Sequence, residues 1–308
     1  MRKLDPSLFS PYEKAFLSGE MLSRYAFSLC GGPCAGLLPT ENGEMLRDLT
    51  ERCISLNLPY RVFGGMTNVL VSDDGFDGVI LLNRRGGISH TEDESGNVIL
   101  CADSGTGMAA VVRYCIENGI SGFEWAAGLP GTVGGAVYGN AGASGSDISR
   151  SFQYGNAVDR TGSFCQITNA GMDFAYRSSV LKREPESPVL LDAVFRLSRG
   201  TKEAITAECE EHRAARKASQ PVDAHSLGSV FKNPPNESAG RLIQAAGLKG
   251  FSIGKATVSM KHANFITTEA GVTAADYRQL VLHVQKTVFE SFGVLLEPEI
   301  ELLGFGPK

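Results

Sequence analysis

The sequence predicts a mixed chain, α/β or α+β, and three observations carry that prediction. Short runs of aliphatic and β-branched residues alternate with amphipathic stretches at helical spacing. Hydrophobic residues make up 43% of the 308 positions, enough for a core shared among two or three domains. Glycine reaches 36 residues, well above the usual share of about 7%, and it crowds the segment from Gly122 to Gly145. No collagen period accompanies that excess. It suits a folded chain whose backbone approaches something closely.

The elements follow in order. From Gly43 to Leu58, residues Leu46, Leu49, Cys53 and Leu56 recur along one helical face. Tyr60 to Phe63 reads as a strand, broken by Gly64-Gly65-Met66-Thr67-Asn68 and resumed from Val69 to Val71; Gly78 to Leu82 is another. Asn97 to Ala102 leads as a strand into Gly105-Thr106-Gly107 and a helix from Met108 to Asn118. The stretch from Gly128 to Ser146 reads as glycine and alanine loop, with strands expected near 155–158 and 189–197. Thr201 to Lys217 is a charged helix with Glu210 and Arg213 spaced for an i,i+3 pair. Gly228 to Pro234 reads as an extended run, with Ser229 and Phe231 on one face and Val230 and Lys232 on the other. Pro234 and Pro235 cannot donate to a ladder, so the run ends there. Thr273-x-x-Asp276 approximates a capping box for a helix striped by Tyr277, Leu280, Val281, Val284 and Val288. A strand from Val294 to Leu303 closes the chain.

Bulk properties narrow the functional classes. Lys and Arg total 29 against 34 Asp and Glu, a net charge of -5 without clustered basic residues, so no nucleic-acid partner is expected. The first residues lack the apolar centre of a secretory signal, and no run approaches membrane-spanning length, so a soluble cytoplasmic protein without a membrane partner is expected. Seven scattered cysteines suit reduced thiols better than a disulfide framework; Cys30 and Cys34 stand one residue too far apart for a redox C-x-x-C pair. Five scattered histidines (90, 212, 225, 262 and 283) provide no metal-ligand spacing, so no metal is expected.

Six segments bear on chemistry. Gly105-x-Gly107-x-x-Ala110 follows a strand and opens a helix as a dinucleotide fingerprint does, but no acidic residue ends a second strand about 20 positions on. Gly64-Gly65-Met66-Thr67-Asn68 and Gly128-Leu129-Pro130-Gly131-Thr132-Val133-Gly134-Gly135 are better ligand loops, because their backbone N–H groups suit a pyrophosphate. Either alone is equally a tight turn; the two together favour a ligand. In Tyr176-Arg177-Ser178-Ser179-Val180-Leu181-Lys182, an arginine between aromatic and hydroxyl residues can hold a carboxylate. Ser229-Val230-Phe231-Lys232-Asn233 sets a hydroxyl, an ammonium and an amide within five positions, and Glu297-Pro298-Glu299 precedes the final strand.

In their order and spacing these segments resemble the UDP-N-acetylenolpyruvoylglucosamine reductase family. The likeness runs from about Arg61 to Leu303 through GGMTNVL at 64–70, GLPGTVGGAVYGNAGA at 128–143, YRSSVLK at 176–182, GSVFKNP at 228–234, AGLKGFSIGKATVSMKHANFI at 246–266 and LEPEI at 296–300. The resemblance implies an α+β chain: a two-lobed FAD-binding region of the vanillyl-alcohol-oxidase (PCMH) type, then a C-terminal α+β substrate domain. It implies lobe 1 over 1–84 with residues 296–308 returning to it, lobe 2 over 85–198 and the substrate domain over 199–295. It further implies non-covalent FAD, NADPH as co-substrate, a UDP-sugar substrate and a role in peptidoglycan precursor synthesis. A monomer or weak oligomer is expected.

Residue by residue, the resemblance makes Ser229 the proton donor to a carbanion, with Arg177 and Glu299 stabilising the enolate that precedes it. Gly64, Gly65, Thr67, Asn68, Gly131, Thr132 and Gly135 match flavin positions. Tyr176, Lys217, Lys232 and Asn233 match or lie near substrate positions. Thr67 stands where serine is expected, and Gln244 where an acidic residue is common. The first forty residues match poorly apart from Gly31-Gly32-Pro33, and the short passage from Lys182 to Val189 leaves no room for the tyrosine-bearing insertion of the longer family type. Two competing readings keep the glycine loops: another oxidoreductase on the same scaffold, which has no need of Ser229, Arg177 and Glu299 together, and a flavin-binding protein without catalysis.

Overall fold

The computed structural model describes residues 2–184 and 187–306. The chain builds three β-sheet units, each with its own buried cluster. The first begins with β1 (Leu17–Ser18), β2 (Cys34–Thr40), α1 (Gly43–Ser55), β3 (Tyr60–Phe63), β4 (Val69–Val71) and β5 (Phe76–Asn83). Its sheet runs β1-β2-β5-β3, with β2, β5 and β3 parallel. The side chains from Val79 to Leu82 on β5 are buried on both faces, as a continuous apolar run in a parallel sheet requires. Leu46, Leu49 and Cys53 of α1 cover one face against Leu38, Val79 and Leu81. Leu56, expected on that stripe, lies exposed because the helix has ended and Leu56 is its C-cap.

The second unit holds β6 (Ile88–Glu92), β7 (Val98–Asp103), α2 (Met108–Asn118), α3 (Val133–Tyr138), β8 (Phe152–Val158), β9 (Phe164–Thr168), β10 (Val189–Arg199) and α4 (Lys202–Ser219). Its antiparallel sheet runs β9-β8-β10-β7-β6. The short helix α3 was read as loop; Thr132 caps it, its hydroxyl accepting from the Gly135 N–H at 3.5 Å. Helix α4, assigned by the sequence to the substrate domain, turns Ile205 and Cys209 into this second core. Glu210 does not meet Arg213 as an ion pair among the described residues; Glu208 lies 3.5 Å from His212 instead.

The third unit comprises β11 (His225–Ser229), α5 (Ala239–Ala245), β12 (Ser252–Ile253), β13 (Ala256–Val258), β14 (Phe265–Thr268) and α6 (Ala274–Phe292). The sheet runs β11-β14-β13-β12, antiparallel throughout, and the expected stripe of Tyr277, Leu280, Val281, Val284 and Val288 is buried against it. Thr273 caps α6 as expected, its hydroxyl accepting from the Asp276 N–H at 3.0 Å. Two further N–H groups of the first turn are met from elsewhere. Asp73 of the first unit takes the Ala274 and Ala275 N–H groups at 2.8 and 2.9 Å, so a carboxylate at the positive end of the helix joins two units.

Two strand readings are corrected. The run 229–232 stops being strand after Ser229, because a register shift between Ser226 and Ser229 and a Gly228 φ of +75° break the alternation; Val230 and Phe231 are both buried. The closing strand shrinks to β15 (Glu301–Leu303), which pairs in parallel with β4 and so returns to the first unit. Residues before it are occupied otherwise: Phe231 bridges Pro298, and Lys232 donates its N–H to the Glu297 carbonyl at 2.9 Å. The passage from Lys182 to Val189 includes Pro185 and Glu186, which lie outside the described residues. Among the described residues, no helix is long and apolar enough to cross a membrane.

Candidate active site

The two glycine loops meet. A Cβ built on Gly64 would lie 2.2 Å from the Thr132 hydroxyl, one on Gly65 would lie 3.1 Å from the Gly131 Cα, and one on Gly131 would lie 3.2 Å from the Thr67 hydroxyl. Glycine lets the two loops approach this closely. Gly131 has φ +100° and Met66 has φ +49°, both in the left-handed region. The N–H groups from Gly64 to Asn68 find no protein acceptor among the described residues. The Asn68 Oδ1 is buried without a hydrogen-bond partner among the described residues, an arrangement that leaves it for a ligand. Free N–H groups, close-packed glycines and an orphaned amide oxygen fit the flavin dinucleotide expected here.

The Gly105-x-Gly107 motif supports this loop rather than forming a rival one. The Met108 N–H donates to the Gly131 carbonyl at 3.0 Å, Val133 to Thr106 at 2.8 Å and Gly134 to Ser104 at 2.8 Å. Gly105 serves close packing, since a Cβ there would lie 2.2 Å from the Arg85 carbonyl.

The side-chain cluster draws on distant segments. Arg177 sits at φ +55° in a turn closed by mutual Ala175–Ser178 bonds. Its Nη2 donates to the Gly142 carbonyl at 2.7 Å, and its guanidinium lies over the Tyr176 ring at 5.3 Å. Buried Asn140 donates to the Ala175 carbonyl at 3.1 Å, and the Ser179 hydroxyl donates to the Tyr138 carbonyl at 2.7 Å, pinning the turn to the end of α3. Such tethers hold a strained backbone in place.

Arg177 Nε lies 3.1 Å from Glu299 Oε1 as an ion pair, but off hydrogen-bond alignment. Burial pushes the Glu299 carboxyl above its usual range, against the charges of Arg177, Lys182 and Lys232. Lys182 Nζ pairs with Glu301 at 2.8 Å and donates to the Glu299 carbonyl at 3.4 Å. The Glu299 N–H donates to the Val230 carbonyl at 2.8 Å. That bond sets Ser229 one residue from the segment bearing Glu299.

The remaining expected site residues divide. Tyr176 and Asn233 come together, the Asn233 N–H donating to the Tyr176 hydroxyl at 3.5 Å, while the Asn233 Oδ1 accepts from Ala239 at the start of α5. Lys232 pairs with Glu297 at 2.6 Å. Lys217 is exposed, and its carbonyl accepts from the Lys261 ammonium; no contact joins its own ammonium to the cluster among the described residues.

One residue escaped the sequence reading. Arg216 is buried enough that desolvation lowers its pKa, with the like charge of Arg177 adding to the effect, and its Nε has no partner among the described residues. Its side chain runs against Gly128 of the second glycine loop. The signal was present: Ile205, Cys209, His212 and Arg216 fall on one stripe of α4, so the arginine stands on the inward face. Lys217 is turned about 100° away from it.

Comparison with known proteins agrees with this geometry. Residues 35–168 match a family model described as an FAD binding domain, and residues 220–303 match the C-terminal domain of UDP-N-acetylenolpyruvoylglucosamine reductase. The first match spans both glycine loops; the second spans Ser229 and Glu299. A UDP-N-acetylenolpyruvoylglucosamine reductase from Caldicellulosiruptor saccharolyticus is 39% identical over 291 residues, covering 94% of this chain and 92% of that protein. One from Bacillus velezensis is 37% identical over 288 residues, 94% of each. The crystal structure of the Thermus caldophilus UDP-N-acetylenolpyruvylglucosamine reductase is 32% identical and superposes with a TM-score of 0.77, covering 92% of this chain and 97% of that one. An FAD binding domain, a matched C-terminal domain and end-to-end relatives together place the chain in the UDP-N-acetylenolpyruvoylglucosamine reductase family of flavin oxidoreductases.

Proposed function

We propose that the chain reduces the enolpyruvyl ether of UDP-N-acetylenolpyruvoylglucosamine to UDP-N-acetylmuramate, with NADPH as the electron source, in peptidoglycan precursor synthesis. Gly64, Gly65, Thr67, Asn68, Gly131, Thr132 and Gly135 would hold FAD without a covalent bond, and the bound flavin would supply the hydride that the terminal carbon of the enolpyruvyl group takes up. The side chains answer what that addition leaves behind, negative charge on the neighbouring carbon and its carboxylate. Arg177 holds the carboxylate, and Arg216 adds a second positive charge to the same side. Glu299 orients the Arg177 guanidinium. The Ser229 hydroxyl gives its proton to the carbon, a general-acid role. Tyr176, Lys232 and Asn233 contact the rest of the UDP-sugar; Lys217, expected with them, is exposed and turned away from the cluster. A division at 84/85 and a second one after α4 in place of 198/199, a monomer or weak oligomer, and a cytoplasmic setting complete the reading.

The observation that carries it is the Arg177–Glu299 pair at 3.1 Å, with the Glu299 N–H bonded beside Ser229. A general acid, a carboxylate-binding cation and its orienting partner then arise from three distant stretches of chain. The test is steady-state oxidation of NADPH by the purified yellow protein. Oxidation should depend on the enolpyruvyl UDP-sugar and yield the lactyl ether. NADPH consumption indifferent to that substrate would point to another oxidoreductase on the same scaffold.

A further inference from the structure

The flavin loop is braced from behind by a residue outside every motif, Arg84. Its Nε donates to the Gly64 carbonyl at 3.0 Å, and its Nη2 reaches the Gly65 carbonyl at 3.5 Å and the Tyr25 carbonyl at 2.5 Å. The next carbonyl, Met66, accepts from the Phe27 N–H at 3.3 Å. Three successive loop carbonyls therefore turn toward one wall, made by Arg84 and residues 25–27. The neighbours of the guanidinium are carbonyls and the Tyr25 ring, at 5.8 Å, rather than carboxylates.

A trans peptide points its N–H opposite to its C=O. With the carbonyls of Gly64, Gly65 and Met66 held to the wall, the N–H groups of Gly65, Met66 and Thr67 face away from it, and none has a protein acceptor among the described residues. The left-handed Met66, at φ +49°, gives the turn the concave run of donors that collects an anion. The fork geometry of arginine suits the wall, because one planar group reaches several carbonyls at once.

We infer that Arg84 is a positioning residue for the anionic part of the flavin dinucleotide, aiming the 65–67 N–H groups by holding the carbonyls behind them. This rests on the proposed reading of the loop as the flavin site. It also assigns work to the N-terminal segment, whose sequence resembles the family poorly: residues 25–27 complete the wall.

The test titrates FAD into the full chain freed of flavin, and measures the melting temperature of the same flavin-free protein. Arg84→Met should weaken FAD binding about ten- to a hundredfold, the scale of lost charge-assisted hydrogen bonds, while the flavin-free chain melts within about 2 °C of wild type. Arg84→Lys keeps the charge but not the fork, and should recover only part of the affinity. FAD affinity within about threefold of wild type in Arg84→Met overturns the inference. So does a melting temperature that falls along with affinity, which marks a merely structural brace, or full recovery by lysine. Wild-type protein that binds no FAD overturns the underlying reading as well, which separates the two failures.

Discussion

The two glycine loops are built from backbone, whereas the Arg177–Glu299 cluster is built from side chains. The loops approach until there is no room for a methyl group, and their polar capacity lies in N–H groups without protein acceptors. The cluster instead places like and unlike charges together: Arg177 against Glu299, Arg216 near Arg177, Lys182 and Lys232 near Glu299. A backbone site is rigid because its packing admits one shape. A side-chain site is tunable, since each charge shifts the proton affinity of the next. The first kind suits a permanently bound group, the second a substrate whose charge changes during reaction.

That contrast can be broken at three points, in descending order of effect. Ser229→Ala removes the proposed proton donor and should slow reduction of the enolpyruvyl substrate by roughly 10²–10⁴-fold, with flavin reduction by NADPH proceeding at its usual rate. Stopped-flow measurement of both half-reactions decides it; equal loss in the two would deny the serine its role. Gly64→Ala pushes a methyl into Thr132, the cap of α3, at 2.2 Å from its hydroxyl. Overpacking of this kind costs about 1–3 kcal/mol, so FAD affinity and melting temperature should fall together. An unchanged flavin titration would mean that the loops yield more easily than their packing implies.

The smallest effect probes charge alone. Burial raises the Glu299 pKa above its ordinary 4.5, so the fold favours the protonated form. The stability this group contributes is whole below pH 4.5 and is lost as pH rises through the raised value. Glu299→Gln has no proton to lose. Its melting temperature relative to wild type should therefore drift in favour of the variant as pH climbs from 4.5 upward. Parallel profiles for the two proteins would place the titration elsewhere.

Much of the backbone site was legible because glycine speaks through its own absence of a side chain. Gly64, Gly65 and Gly131 stood out in the sequence and do lie where the two loops touch. The side-chain site was legible only as separate fragments. Arg177, Ser229 and Glu299 each belonged to a recognisable motif, but their meeting depends on bonds such as Glu299 N–H to the Val230 carbonyl, which no local pattern announces. Arg216 lies in no motif, and only the stripe on α4 marks it as facing inward. Arg84 sits in no motif, and its partners are carbonyls, which every residue has.

The longer helices and the glycines of close approach were written locally, in periodicity and residue type, and the family likeness in the order and spacing of short motifs. A helix stripe or a glycine needs only its neighbours to declare itself. Tertiary structure alone decided that Asp73 caps a helix 201 positions away, that the chain end returns beside Val69–Val71, and that a burial-raised carboxyl faces an arginine. Those outcomes depend on desolvation and on distances through space, and both exist only once remote segments have packed together.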